Sequence, residues 1–179
     1  MYDREELESI IAGCKAGENE AFSRLVDIYA SRCYGYFYRL CGNSTTSDEL
    51  LSKLFVKLVE KIGSYKGGSF ETWLFTTAGN LFRDHLRHQY RQNKLIKGKA
   101  KELESVRPMT KSQADLADTL QIQLEKLDAE TAELLMLRFY GGFSFKELAE
   151  MRSEPIGTTL SKVHRGLKRL RELMENFDD

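Results

Sequence analysis

The sequence predicts an all-α protein: two small helical domains joined by a flexible linker, the second domain carrying a helix-turn-helix. Three observations predict it. Apolar residues recur at steps of three and four along most of the chain. Strand-like alternation is absent. The only two prolines among 179 residues, Pro108 and Pro155, fall where the helical periodicity breaks. Hydrophobic content of 41% with 30% charged residues is that of an ordinary globular protein, and the length accommodates one or two domains.

The elements follow in order. Residues 5–15 form a short amphipathic helix with Leu7, Ile10 and Ile11 inward, punctuated by Gly17 and Asn19. Residues 20–40 form a longer one, with Phe22, Leu25, Val26, Tyr29, Cys33, Phe37 and Leu40 on one face. Gly42 and Asn43 end it as a left-handed cap would. Thr46 or Ser47 is expected to cap the next helix, where Asp48 and Glu49 favour the positive end. It runs to about Ile62, with Leu50, Leu51, Leu54, Phe55 and Leu58 apolar. Gly63 to Gly68 form a loop, and Ser69 caps a helix over 70–90 whose apolar side holds Phe70, Trp73, Leu74, Ala78, Leu81 and Leu86. On another side, Thr76, Asn80, Arg83 and Arg87 fall at i, i+4, i+7 and i+11, a polar and basic stripe. Beside the glycine-aromatic loop, this stripe suits contact with single-stranded DNA, because aromatic rings stack on bases and Arg tracks phosphate. A solvated helix surface is the alternative.

Residues 92–114 break the pattern and read as the linker, basic at its start (Lys94, Lys97, Lys99, Lys101). The domains are therefore set at 1–91 and 115–179. Helix resumes over 116–127. Asp128 caps residues 129–140, with Ala132, Leu135, Met136 and Phe139 inward, and Gly141-Gly142 closes that helix.

Residues 144–171, SFKELAEMRSEPIGTTLSKVHRGLKRLR, carry the clearest motif. Ser144 and Glu147 form a capping box, Pro155 marks the turn, and a second helix starts at Ile156 or Gly157. Its apolar stripe is Leu160, Val163, Leu167, Leu170 and Met174. Thr158, Ser161, Lys162, Arg165, Lys168 and Arg169 occupy another face. Between Gly157 and Arg171 stand five Lys or Arg, one His and no acid. Small hydroxyl residues first and cations after suit a helix in the major groove of DNA, with the first reaching base edges and the rest meeting phosphates.

Formal charge is zero, from 27 basic and 27 acidic side chains, so local patches rather than net charge would have to carry DNA affinity. No apolar run is long enough to span a membrane, and the acidic start lacks the pattern of a secretory signal. Three cysteines, Cys14, Cys33 and Cys41, without CxxC spacing suggest free thiols in a reducing cytoplasm. His85 and His88 lie near one another with no cysteine close in sequence, so no metal site and no cofactor are expected. No nucleophile-base set or phosphate loop appears, and no enzyme is expected.

Taken together, the chain resembles the extracytoplasmic-function class of bacterial sigma factors, the promoter-recognition subunits of RNA polymerase. Residues 70–87, FETWLFTTAGNLFRDHLR, are similar to the helix that reads and melts the minus-10 element. Residues 47–55, SDELLSKLF, are similar to the helix that docks on the polymerase clamp. Residues 144–165 resemble the helix-turn-helix that binds the minus-35 element, down to Pro155, Gly157, Thr158, Ser161 and Arg165. The resemblance implies DNA contacts by Thr158, Thr159, Ser161, Lys162, Arg165, Lys168 and Arg169 upstream, and by Asn80, Arg83 and Arg87 at the minus-10 element. It implies polymerase contacts by Asp48, Glu49, Ser52, Lys53 and Phe55. The implied partners are core RNA polymerase, promoter DNA and an anti-sigma factor, in the bacterial cytoplasm. The family usually has Gln-Glu at Ser52-Lys53, Arg at Thr76 and Gly79, Gly at Ser153 and a basic residue at Leu160. Two other functions stay open at this point: a sigma-like protein that sequesters an anti-sigma factor, and a helix-turn-helix regulator.

Overall fold

Both halves of the protein are built on one long helix, α2 (Asn19–Cys41). The structure is a computed structural model that describes residues 3–97 and 116–178. α1 (Arg4–Ala16) precedes α2; α3 (Ser44–Lys61) and α4 (Phe70–Lys97) follow. The second half comprises α5 (Leu116–Glu125), α6 (Ala129–Leu135), α7 (Phe145–Arg152) and α8 (Ile156–Asp178). Among the described residues there is no strand. Most of the expected linker, with Lys99, Lys101 and Pro108, lies outside the described residues, while α4 continues past the expected boundary at residue 91 as far as Lys97.

Local chemistry sets the boundaries. Gly42 ends α2 in the left-handed region at φ 61°, and its N–H bonds to the Tyr38 carbonyl. The cap of α3 is Asn43 rather than Thr46 or Ser47: its side chain accepts the Thr46 N–H at 2.9 Å. Ser47 is instead buried and donates to the Asn43 carbonyl at 2.7 Å. Ser69 accepts the Thr72 N–H at the start of α4, and Asp128 accepts the Thr131 N–H at the start of α6. Ser144 and Glu147 close the capping box of α7 in both directions. α7 ends on Ser153 at φ 52°, the only non-glycine residue with positive φ among those described, and Pro155 prevents continuation.

The expected apolar stripes pack as the core of the first half: Leu25, Tyr29, Cys33 and Phe37 from α2, Leu50, Leu54 and Leu58 from α3, and Phe70, Leu74, Ala78 and Leu81 from α4 are buried. Trp73 is only half-buried, at the edge of an aromatic group with Tyr65 and Phe70 at 5.7 and 5.6 Å. Tyr36 and Phe75 lie off those stripes and are nevertheless fully buried, because the C-terminal half covers a second face of α2 and α4. The Phe75 ring meets Phe143 at 5.3 Å, and one apolar cluster runs through both halves.

One expectation in the second half is corrected. The last turn after α6, Met136–Tyr140, is a π-turn, with the Gly141 N–H reaching the Met136 carbonyl at 2.9 Å. The wider turn carries Phe139 outward to 57% exposure, whereas Ala132, Leu135 and Met136 stay inside as expected. The three cysteines are free thiols; burial pushes Cys33 up to about 12 and Cys41 to about 11, so neither carries thiolate near neutrality.

Candidate nucleic-acid interface

The helix-turn-helix places α8 across α6 and α7, and the close approach to α6 decides which of its residues are buried. A Cβ on Gly166 would stand 2.6 Å from the Thr131 methyl, closer than real contacts allow. The buried face of α8 is therefore Thr159, Val163 and Gly166, with Leu170 half-buried. Leu160 at 50% and Leu167 at 37% are exposed, so the stripe expected from apolar periodicity is rotated by one small-residue face. Small residues, not large ones, allow the two helices to approach.

This rotation changes which of the candidate groove residues are exposed. Thr159 is fully buried and donates its hydroxyl to Glu154 at 2.8 Å, so it faces the protein rather than solvent. Thr158, Ser161, Arg165, Lys168 and Arg169 are exposed on the outer side of α8. Ser161 donates back to the Gly157 carbonyl at 2.8 Å, and Arg169 pairs with Glu172 at 3.3 Å. Among the described residues no carboxylate pairs with Arg165 or Lys168. Leu160 stands on this outer side.

Lys162 is different. Its ammonium lies 2.6 Å from Glu154 and 2.8 Å from Glu130. Arg152, 11% exposed, joins the same cluster through Glu130 at 2.9 Å and Glu133 at 3.5 Å. The hydrogen bonds from Lys162 and Arg152 hold Glu130 down to about 2. Burial works against ionisation of Glu154, but Lys162 and Thr159 outweigh it and keep that carboxyl below its ordinary value. Lys162 is thus a structural cation first.

The stripe on α4 divides in the same way. Arg87 is exposed and pairs with its neighbour Asp84 at 2.6 Å. Arg83 lies 2.5 Å from Glu133 of α6, a carboxylate 2% exposed, and donates to Asn80 at 2.7 Å. Thr76 turns its hydroxyl back to the Thr72 carbonyl at 2.6 Å. Sequence periodicity placed these residues on one face, and they are on one face; what it missed is that Glu133 of α6 reaches across to Arg83, while Asn80 and Arg87 stay exposed. The Ser64–Ser69 loop is shaped by Gly67 and Gly68 at φ 103° and 93°. Its Tyr65 hydroxyl donates to the Gly68 carbonyl at 2.8 Å, and Lys15 of α1 donates to the Tyr65 carbonyl at 2.6 Å. Lys15, which the sequence did not single out, fixes this loop. Asn80 stands three turns along α4 from it, roughly 16 Å away at the helical rise.

On α3, Asp48, Glu49, Ser52 and Lys53 are exposed together, with Lys53 3.8 Å from Glu49. Phe55 is half-buried against the core, and Val56 and Val59, 58% and 55% exposed, supply the apolar part of this surface. Their signal in the sequence was an apolar residue off the Leu50–Leu54–Leu58 stripe. Among the described residues no group of three His, Cys, Asp or Glu is arranged to hold a metal, and no helix is long and apolar enough to cross a membrane.

A helix-turn-helix with an exposed hydroxyl-and-cation helix, docked on a helical body that carries a second basic stripe, defines a two-site DNA-binding transcription factor. The chain matches Sigma-70 region 2 over residues 25–92 and Sigma-70, region 4 over residues 123–172. It is 31% identical over 137 residues to the ECF RNA polymerase sigma factor EcfG of Rhodopseudomonas palustris, covering 75% of each chain. It is 26% identical over 184 residues to the sigma factor SigW of Bacillus subtilis, covering 96% of this chain and 98% of SigW. Among solved structures, the sigma factor RpoE of Bartonella quintana, in complex with the anti-sigma factor NepR, superimposes with a TM-score of 0.71 at 25% identity, covering 86% of this chain and 96% of RpoE. The protein belongs to the ECF sigma factors, transcription initiation factors of RNA polymerase.

Proposed function

We propose that the outer face of α8 holds the upstream promoter element while α4 holds the melted strand of the downstream one. Thr158, Ser161 and Arg165 meet base edges in the major groove; Lys168 and Arg169 meet phosphates and fix the register. Asn80, Arg83 and Arg87, with the Ser64–Ser69 loop, take the unstacked strand of the minus-10 element, where a base pocket returns the cost of unstacking. The exposed face of α3 (Asp48, Glu49, Ser52 and Lys53, with Val56, Val59 and the edge of Phe55) docks on core polymerase. Polymerase performs the chemistry in the bacterial cytoplasm, and this chain supplies address and melting. Linking two weak sites in one chain raises the effective concentration of the second contact. An anti-sigma factor is the natural regulator, in keeping with the complex formed by the similar RpoE.

The observation that carries this assignment is the exposed outer side of α8 from Thr158 to Arg169, a stretch without an acidic residue, in a chain that also holds the region 2 body. A lone helix-turn-helix regulator would leave that body without a role. A sequestering mimic would have no use for the exposed cations on α8. The test is run-off transcription with purified core polymerase on a genomic promoter library. Defined transcripts that require this chain are expected; a chain that never co-purifies with core polymerase, or that yields no specific transcript, overturns the assignment.

A further inference from the structure

A lysine of the first helix reaches the loop that follows α3. α1 is seated on α2 by its buried Ile10, Ile11 and Cys14. It ends on Gly17 at φ 83°, whose N–H bonds to the Cys14 carbonyl. Lys15 stands in that last turn, so the helix fixes the root of its side chain. Its ammonium donates to the Tyr65 carbonyl at 2.6 Å and lies 5.3 Å from the centre of the Tyr65 ring. Both contacts go to one residue, 50 positions along the chain.

Tyr65 is the buried hub of the Ser64–Ser69 loop. Its ring packs against Phe70 at 5.5 Å and Trp73 at 5.7 Å. Its N–H bonds back to the Ile62 carbonyl at 3.1 Å, and its hydroxyl donates forward to the Gly68 carbonyl at 2.8 Å. The Tyr65 carbonyl belongs to the peptide that leads into Lys66. Holding it fixes the plane of that peptide, and so the direction in which exposed Lys66, Gly67 and Gly68 leave the body. Glycine has wide conformational freedom, so the path of Gly67 and Gly68 needs an anchor where it starts. Lys15 supplies it across a hollow of about 250 Å³ between α1 and the loop, lined by Glu8, Ile11, Ala12, Lys66, Gly67 and Gly68. Packing leaves that space open, and the lysine bridges it.

Lys15 is exposed, and an exposed cation contributes little to folding, because water replaces its contacts when they are lost. Its hold on the loop is direct. We infer that α1 is part of the promoter-reading surface, and that Lys15 is a positioning residue which presets the Ser64–Ser69 loop and thereby sets the base preference of that loop. Lys15 acts through Tyr65 and touches no nucleotide. A loop held in one shape cannot re-form around a wrong base, so rigidity becomes discrimination. This inference rests on the reading that the loop takes an unstacked base of the minus-10 element.

The test uses the full chain assembled with core polymerase on forked templates, built on a promoter from the run-off library, with the single-stranded minus-10 segment randomised. Sequencing of the retained strands reads base preference position by position. Lys15→Met, Lys15→Arg and the loop variant Gly67→Val, strained at φ 103°, are compared with the wild-type chain. Lys15→Met is expected to relax the preference about five-fold or more at the position that Gly67→Val also relaxes, and to leave the other positions as they were. Lys15→Arg, which can still donate to the Tyr65 carbonyl, is expected to keep the preference. The melting temperature of the free chain is expected to be the same with Lys15→Met as without it. A preference that Gly67→Val relaxes and Lys15→Met does not overturns the positioning role and leaves the reading of the loop standing. An equal loss of binding to every sequence would mean that Lys15 meets phosphate, and it overturns the role as well. A fall in melting temperature with preference lost at every position would make Lys15 merely structural, with the same consequence. If Gly67→Val moves the preference at no position, the reading of the loop itself falls, and the positioning role with it.

Discussion

Lys162 on α8 lies 2.6 Å from Glu154, the residue just before the proline of the helix-turn-helix. A cation on the outer face of a recognition helix is expected to meet phosphate. Here it also ties the start of its own helix to the preceding turn and, through Glu130, to α6.

Lys162 and Arg165 should therefore separate stability from DNA binding. Lys162→Ala removes a charge-assisted pair and leaves half-buried Glu154 undercompensated; a loss of about 1–3 kcal/mol is expected, read by denaturant unfolding. Arg165→Ala should leave unfolding unchanged. It should weaken duplex binding about ten-fold and reduce the slope of log K against log salt by about one. Equal effects of the two substitutions on folding would contradict this division.

Leu160 offers a gain. It is 50% exposed on the outer side of α8, where the family usually carries a basic residue. Leu160→Lys should add about one phosphate contact, raising duplex affinity at low salt and steepening the salt dependence, with the melting temperature preserved. A collapse of the melting temperature would mean that Leu160 packs against the core.

Acid should loosen the C-terminal half. Glu130, Glu147 and Glu154 all titrate below their ordinary value of 4.5 when folded, Glu130 near 2. The folded values are depressed, so the stability they contribute is present above the unfolded value and is lost as pH falls through the folded ones. Thermal melts should show the midpoint falling between about pH 4.5 and pH 2, and Glu130→Gln should flatten that fall. A midpoint independent of pH across that window would refute the role of the cluster.

Gln123 of α5 is fully buried, and neither its amide nitrogen nor its oxygen has a partner among the described residues. An unmet buried amide is costly, so Gln123→Leu should stabilise the chain by about 1 kcal/mol, visible as a higher unfolding midpoint in urea. Destabilisation would show that a bound water or a neighbouring segment satisfies the amide.

Much of this was legible from residues alone. Periodicity located the described helices, because each must bury one apolar stripe whatever its partner, but it ended α4 at residue 90 where the helix runs on to Lys97. Gly42, Asp128, the Ser144–Glu147 box and Pro155 act within one turn of chain, so their effects are written locally. The acid-free run from Gly157 to Arg171 singled out, by charge alone, the helix proposed to face DNA.

Tertiary packing decided the rest. Thr159 is inside and Leu160 outside because α6 comes close enough over Gly166 to admit only small side chains. Phe139 is outside because a π-turn shifts the register of one helix end. Lys162 and Arg83 read as free cations in the chain, and whether each meets phosphate or carboxylate depends on which helix lies across from it. A sequence determines which surface a helix will offer; what occupies that surface depends on distances between segments far apart in the chain, where a single ångström separates contact from exclusion.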